Sequence, residues 1–328
     1  MSVAVVIPCF KVKKHILNVI KEMPEYVDRI YIIDDRCPEK SGQHVQENCN
    51  DSRIWVYRNP INLGVGGAVC QGYKMALAEE MDIVVKVDGD GQMDPCLIRS
   101  LIDPILNGIA DYTKGSRFFH PEGLSEMPLI RLLGNAGLSF INKVVTGYWD
   151  IMDPTNGFTA ISNEALKNIP LEKLSSRYFF ESDILFRLSL AKARVVDFSM
   201  KAKYGDEVSN LKIHNVLCTF PFKYLKRFMK RLVYQYFLRD FNYGSLSLIS
   251  GLSLLSFGLI FGIYKYIEFS IIKNIPASTG TVVIPSMLII LGTQLLISFV
   301  QYDINSNPKI ALNHERKKNH LIQDRKSA

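Results

Sequence analysis

The chain has 328 residues, 48% of them hydrophobic, which exceeds one small domain and suits a catalytic domain with an appendage. Its formal net charge is +7, and the basic excess gathers beside long apolar runs near the C-terminus. The charge is therefore read as membrane affinity and not as nucleic-acid binding.

The opening Met1-Ser2-Val3-Ala4-Val5-Val6-Ile7-Pro8 has no basic lead and too short an apolar run for a signal peptide, so it reads as a strand over residues 3–8. A helix is compatible with residues 15–23, and a second strand follows at 29–34. That strand ends in Asp34-Asp35, which can accept hydrogen bonds from a base or ribose, or equally form a turn or helix cap. A third strand is expected at 53–58. Asn62-Leu63-Gly64-Val65-Gly66-Gly67-Ala68 then leads into a helix over 67–80. A dinucleotide-binding fingerprint would have to follow the first strand directly, where Pro8-Cys9-Phe10-Lys11 stands instead. The glycines are thus assigned to close approach of the loop to a nucleotide, or to packing of the helix on the sheet.

The fourth strand, 83–88, runs into Asp88-Gly89-Asp90-Gly91-Gln92-Met93-Asp94-Pro95. Two carboxylates one residue apart at a strand end can hold one Mg²⁺ or Mn²⁺ through hard oxygen ligands, and that ion can hold a diphosphate. An EF-hand reading fails, because the closing position would be Arg99 or Leu101 instead of Glu. Near-continuous apolar strands alternating with helical patterns predict an α/β fold with a mostly parallel sheet covered on both faces. Ligands of such sheets sit beyond the carboxyl ends of the strands. The six cysteines show no paired spacing and read as reduced thiols packed as small hydrophobes.

Between residues 220 and 239, Leu225, Phe228, Met229, Leu232, Val233, Tyr236 and Phe237 follow a helical rhythm with cations on the other side, as expected of a helix lying in a membrane interface. Residues 244–264 and 280–302 contain no charged side chain, and each run exceeds the roughly 18–20 residues a helix needs to cross a bilayer. Lys223, Lys226, Arg227, Lys230, Arg231 and Arg239 precede the first run. Lys309, Arg316, Lys317, Lys318, Arg325 and Lys326 follow the second. The positive-inside rule then places both the N-terminal region and the tail in the cytoplasm, on an inner or plasma membrane. The expected organisation is a catalytic domain at 1–219, an amphipathic segment at 220–243, two transmembrane helices within 244–302 and a basic tail at 303–328.

Taken together, the Val-Ile-Pro of the first strand, Asp34-Asp35, the 62–68 loop, the 88–95 run, Lys114-Gly115-Ser116-Arg117, Asp153-Pro154-Thr155-Asn156-Gly157-Phe158, Phe180-Glu181-Ser182-Asp183 and the paired C-terminal spans resemble the polyprenyl-phosphate glycosyltransferases of glycosyltransferase family 2. Dolichol-phosphate mannose synthases belong to that group. The resemblance implies a GT-A, Rossmann-like fold and an inverting transfer from a nucleotide-sugar to a polyprenyl phosphate. It places Asp88, Asp90 and Gln92 at the metal, with Asp88 also at the donor diphosphate. Pro8, Asp34, Asp35, Asn62, Gly64 and Gly66 are assigned to the nucleotide-sugar, and Arg117 and Arg131 to the acceptor phosphate. Asp90 is expected to be catalytic through the metal. Glu181 and Asp183 are candidates for a base or a sugar-hydroxyl contact, and at i, i+2 they cannot share a helix face.

Two departures lie near the donor and leave sugar and nucleotide open. Lys11-Val12-Lys13-Lys14 stands where many relatives carry an Asn-Glu pair, and Arg36-Cys37 replaces the x-Ser that commonly follows the Asp pair. Direct addition of sugar to a lipid-linked glycan is the nearest rival, since only the acceptor end differs. A catalytically silent membrane adaptor is the alternative of another class. A processive synthase would need a Gln-x-x-Arg-Trp element, and neither Trp55 nor Trp149 stands in one. A homo-oligomer is compatible with the sequence and not specified by it.

Overall fold

A computed structural model describes the backbone of residues 1–119, 129–200 and 213–312. The described residues form two compact units: those within 1–228 together with 308–312, and residues 229–307.

The first unit is built on a seven-stranded sheet. Its strands are β1 (Val3–Cys9), β2 (Arg29–Asp34), β3 (Ile54–Arg58), β4 (Ile83–Lys86), β5 (Tyr112–Ser116), β6 (Thr159–Ser162) and β7 (Val195–Ser199), in the order β3-β2-β1-β4-β6-β5-β7. Among the described residues only β6 runs against its neighbours, β4 and β5, and the other pairings are parallel. The apolar runs of β1, β2 and β4 are buried almost throughout, whereas the edge strand β3 is half-exposed. Strand alternation sorts the core into two layers. Val3, Val5, Ile7, Ile30 and Ile32 face one side, where they meet Ile16 and Ile20 of α1 (Ile16–Lys21) and Ile98 and Leu101 of α4 (Ile98–Leu106). Ala4, Val6, Tyr31 and Ile33 face the other. They pack with Ala68, Val69 and Tyr73 of α3 (Val65–Ala78), and with a later helix over Phe180–Ala191 through Ile184 and Leu188. The sheet is therefore mostly parallel and covered on both faces, as the sequence pattern predicts.

The remaining helices are α2 (Ser41–Asn48), α5 (Leu129–Thr146), α6 (Asn163–Lys167), α7 (Phe180–Ala191), α8 (Ile213–Val233), α9 (Tyr243–Tyr266) and α10 (Thr279–Asn305). Helix α8 carries the predicted amphipathic segment and continues into a π-helical turn at Tyr234–Leu238. The expected apolar face splits in two. Of its residues Leu232 and Tyr236 are buried and Phe228 is half-buried, while Leu225, Met229, Val233 and Phe237 are exposed. Outside the expected set, Tyr224 is buried and Phe222 joins Leu225, Met229 and Val233 in an exposed stripe. The cations divide as well, for Arg227 and Arg231 are drawn into ion pairs with Asp183 and Asp303 respectively.

Within the second unit, α9 and α10 lie side by side, with Gly251 and Gly258 of one against Gly292, Leu296 and Ile289 of the other. Absent side chains at these positions allow close backbone approach, as small residues do between apolar helices. Both segments, Tyr243–Ile272 and Thr279–Asn305, are long and apolar enough to cross a membrane, with mean hydropathy 2.1. Their outward surfaces remain apolar, with only 17% of each apolar window buried. At the far end of α10, the buried Asp303 accepts from Arg231 Nη1 at 2.7 Å and from the Tyr236 hydroxyl at 2.6 Å. The tail cations Arg316, Lys317, Lys318, Arg325 and Lys326 lie outside the described residues.

Candidate functional site

A cleft of about 610 Å³ opens at the carboxyl ends of β1, β2 and β4. Pro8 and Cys9 enter from β1, Asp35 from the end of β2, Asp88 and Asp90 from the end of β4, and Asn62 and Gly64 from the glycine loop. This is where doubly wound sheets bind ligands, because adjacent loops part beyond the strand ends.

The two carboxylates of the Asp34-Asp35 doublet do different work. Asp34 is buried and points away from the cleft, accepting from Cys37 N and Gly42 N, both at 2.8 Å. It shapes the turn into α2 and is not a cleft residue. Asp35 accepts from Asn59 Nδ2 and Leu63 N at 2.8 Å and from Gly64 N at 2.7 Å, so it tethers the glycine loop while lining the cleft. Gly64 adopts φ +83°, a left-handed conformation that side chains disfavour. Gly66 belongs to packing: a Cβ there would strike the backbone oxygen of Ser175 and the ring of Phe180. Gly66→Ala is expected to destabilise the protein by about 1–3 kcal/mol through forced displacement of that backbone, seen as a lower unfolding midpoint of the detergent-solubilised protein.

Asp88 and Asp90 are both partly exposed at the cleft wall. Asp90 Oδ1 accepts from Gln92 N at 3.0 Å, which curls the chain after the strand. Gln92 thus meets Asp90 through its backbone, and its side chain is not among those that line the cleft. Beneath Asp88 lies the buried Lys86, whose Nζ sits 2.9 Å from Asp88 Oδ1 and 3.4 Å from Glu181 Oε1. Burial alone would push the Lys86 ammonium down, but Asp88 and Glu181 more than offset it and its pKa is raised. Glu181 is thereby brought to the acidic pair through a shared cation.

Asp183 is elsewhere. Its side chain is fully buried and accepts from Ser175 N at 2.9 Å, Ser175 Oγ at 3.1 Å and Arg227 Nε at 2.7 Å. Arg117 makes a forked pair with the buried Asp153, Nε to Oδ2 at 2.7 Å and Nη2 to Oδ1 at 3.0 Å. Burial would raise the Asp153 carboxyl, yet the Arg117 fork and the Lys114 charge hold it below the usual carboxylate range. Lys114 is fully enclosed, donates to Asn156 O, and is pushed down to about 8 by burial against the pull of Asp153, Glu181 and Asp197. Arg131 is carried by the backbone of α5, but its side chain lies outside the described residues.

Sequence reasoning missed Lys86, Asp153, Arg177 and Tyr178. Lys86 stood in the fourth strand and Asp153 in a quoted motif, each without a role. Arg177 and Tyr178 line the cleft from the loop before α7, and no motif flagged them.

A sheet of this topology with an acidic cleft at its strand ends defines a transferase domain of the GT-A class. The chain belongs to glycosyl transferase family 2, whose profile matches residues 4–170, 167 of 328 residues. The protein is a glycosyltransferase. It is 31% identical over 233 residues to the UDP-N-acetylglucosamine–dolichyl-phosphate N-acetylglucosaminyltransferase of Methanococcus voltae, covering 67% of this chain and 92% of that protein. It is 25% identical to the undecaprenyl-phosphate mannosyltransferase of Micrococcus luteus, over 51% of this chain and 69% of the relative. Among solved structures it is similar in fold to glucosyl-3-phosphoglycerate synthase from Mycobacterium tuberculosis, crystallised with Mn²⁺, UDP-glucose and phosphoglyceric acid. The TM-score is 0.50 at 18% identity, over 70% of this chain and 79% of the other.

Proposed function

We propose that the protein transfers a sugar, with inversion, from a nucleotide-sugar to a polyprenyl phosphate at the cytoplasmic face of a membrane. The observation that carries this reading is the convergence of Pro8, Asp35, Asn62, Gly64, Asp88 and Asp90 on one cleft. The relatives named for transfer to dolichyl and undecaprenyl phosphate support the acceptor class.

In this reading the nucleoside lies against Pro8, Asp35 and the glycine loop, and Asp88 and Asp90 face the diphosphate. Among the described residues no group of three or more His, Cys, Asp or Glu side chains is placed to hold an ion. Hard carboxylate oxygens suit Mg²⁺ or Mn²⁺, so Asp88 and Asp90 would hold such an ion. When bound there it supplies charge neutralisation for the departing diphosphate. Lys86 fixes Asp88 from below and ties it to Glu181. Arg117, its fork oriented by Asp153, and Arg131 are assigned to the acceptor phosphate.

An acceptor phosphate oxygen forms the new bond to the anomeric carbon while the bond from that carbon to the donor diphosphate breaks. The acceptor is already anionic near neutral pH, so positioning outweighs proton abstraction. Glu181, nearer the acidic pair than Asp183, is the residue for a sugar-hydroxyl contact. The exposed stripe Phe222, Leu225, Met229 and Val233 on α8 suits a helix lying in the interface, and α9 and α10 serve as membrane spans. Such an anchor holds the catalytic unit where a lipid phosphate presents its head group.

The test is to incubate the purified protein with polyprenyl phosphate, Mg²⁺ or Mn²⁺ and a panel of labelled nucleotide-sugars. One donor is expected to yield a labelled polyprenyl phosphate sugar. Labelling of a lipid-linked glycan alone would establish the rival acceptor, and no labelling of any lipid with any donor would overturn the reading.

A further inference from the structure

We infer that Arg177 is a donor-binding residue that grips the diphosphate of the nucleoside diphosphate from the wall of the cleft formed by the loop before α7. The inference deepens the donor reading above and rests on it.

Arg177 lines the same cleft as Asp88 and Asp90. Its neighbours there are already engaged. Asp35 holds the glycine loop, and Arg36 donates Nη1 to the carbonyl of Pro60. The Arg177 guanidinium has no hydrogen-bond or ion-pair partner among the described residues, although three carboxylates line the cleft with it. A permanently charged planar fork in a ligand cleft suits bidentate capture of phosphate oxygens.

The loop that bears it is fixed by its own backbone. Ser176 O accepts from Gly67 N at 2.9 Å, Arg177 O accepts from Phe180 N at 2.9 Å, and Ser175 is held by Asp183 through both N and Oγ. A Cβ on Gly64 would lie 2.8 Å from Arg177 Cγ, so the stem of the side chain runs directly over the glycine loop. The bare glycine is what admits the arginine. Asn62 and Gly64 line the same cleft as Arg177. The same geometry gives Asp183 a purpose without chemistry: it is a positioning residue for the loop that carries Arg177.

The experiment measures binding of UDP, GDP, CDP and ADP, and of the matching nucleoside monophosphates, to the full-length protein in detergent with Mn²⁺ present. For the diphosphate that binds the wild type, Arg177→Ala is expected to weaken affinity by roughly ten- to hundredfold, the range for a hydrogen bond to a charged group. The monophosphate should change less than the diphosphate, and the unfolding midpoint should stay put because the side chain is exposed. Arg177→Lys should recover part of the loss, since it restores charge without the fork. Equal diphosphate affinity in wild type and Arg177→Ala would overturn this inference and leave the donor reading standing. No binding of any nucleoside diphosphate to the wild type would overturn both.

Discussion

Replacing Asp90 by Ala should lower sugar transfer by roughly a thousandfold, because an ion that neutralises a leaving diphosphate is worth several kcal/mol of the barrier. The fold should survive. Asp90 lies beyond β4 at a partly exposed position, and it accepts a hydrogen bond from Gln92 N at 3.0 Å in the turn after the strand. Asp88→Ala should cost as much activity and more stability, because it removes the carboxylate 2.9 Å from the buried Lys86 ammonium. The two variants thus separate an ion-facing role from a structural one. Transfer is measured with the donor that labels the acceptor, at saturating Mn²⁺, alongside the unfolding midpoint. Retention of wild-type transfer by Asp90→Ala would remove the acidic pair from the mechanism.

How much of this could be read from the sequence follows from what each signal encodes. Strands β1, β2 and β4 were legible because burial on both faces forces unbroken apolar runs, and the acidic residues at the ends of β2 and β4 marked the cleft rim. Strands β5, β6 and β7 were not. Four or five residues carry little periodicity, and nothing local in Thr159–Ser162 announces a strand running against its neighbours. The doublet Asp34-Asp35 shows the same limit at a single site. Successive residues at a strand end point to opposite sides, so one serves the turn and the other the cleft, and composition cannot say which. Arg177 was invisible because a lone arginine outside a motif becomes informative only when the fold brings it beside Gly64, 113 positions away (177 minus 64). The amphipathic segment was legible as a helix, but its apolar face serves two masters. Its period could not show that Tyr224 turns inward while Leu225 stays exposed.

The second large effect concerns Asp183. Asp183→Ala should destabilise the protein by about 3 kcal/mol, the lower part of the range for removing one partner of a buried ion pair. The lower part applies because Arg227 retains 16% of its side-chain exposure while Asp183 has none. The lost carboxylate strands the Arg227 guanidinium and also leaves Ser175 N without an acceptor. Asp183→Asn keeps an oxygen for Ser175 and should fall between wild type and Ala. A general base would behave differently, since its amide variant would lose turnover while melting like the wild type. An anchor loses stability first and donor affinity with it, because the Ser175–Arg177 loop is released. Arg227→Ala should reproduce part of the loss from the other side of the pair. The double variant Asp183→Ala, Arg227→Ala should then be less destabilised than the sum of the two singles, by well over the roughly 0.5 kcal/mol within which independent sites add. Additive losses would mean that helix α8 and the Ser175–Arg177 loop are held independently. Sub-additive losses would mean that helix α8, through Arg227, and the loop carrying Arg177 share one buried carboxylate, so that the seating of Arg227 bears directly on the cleft that Arg177 lines.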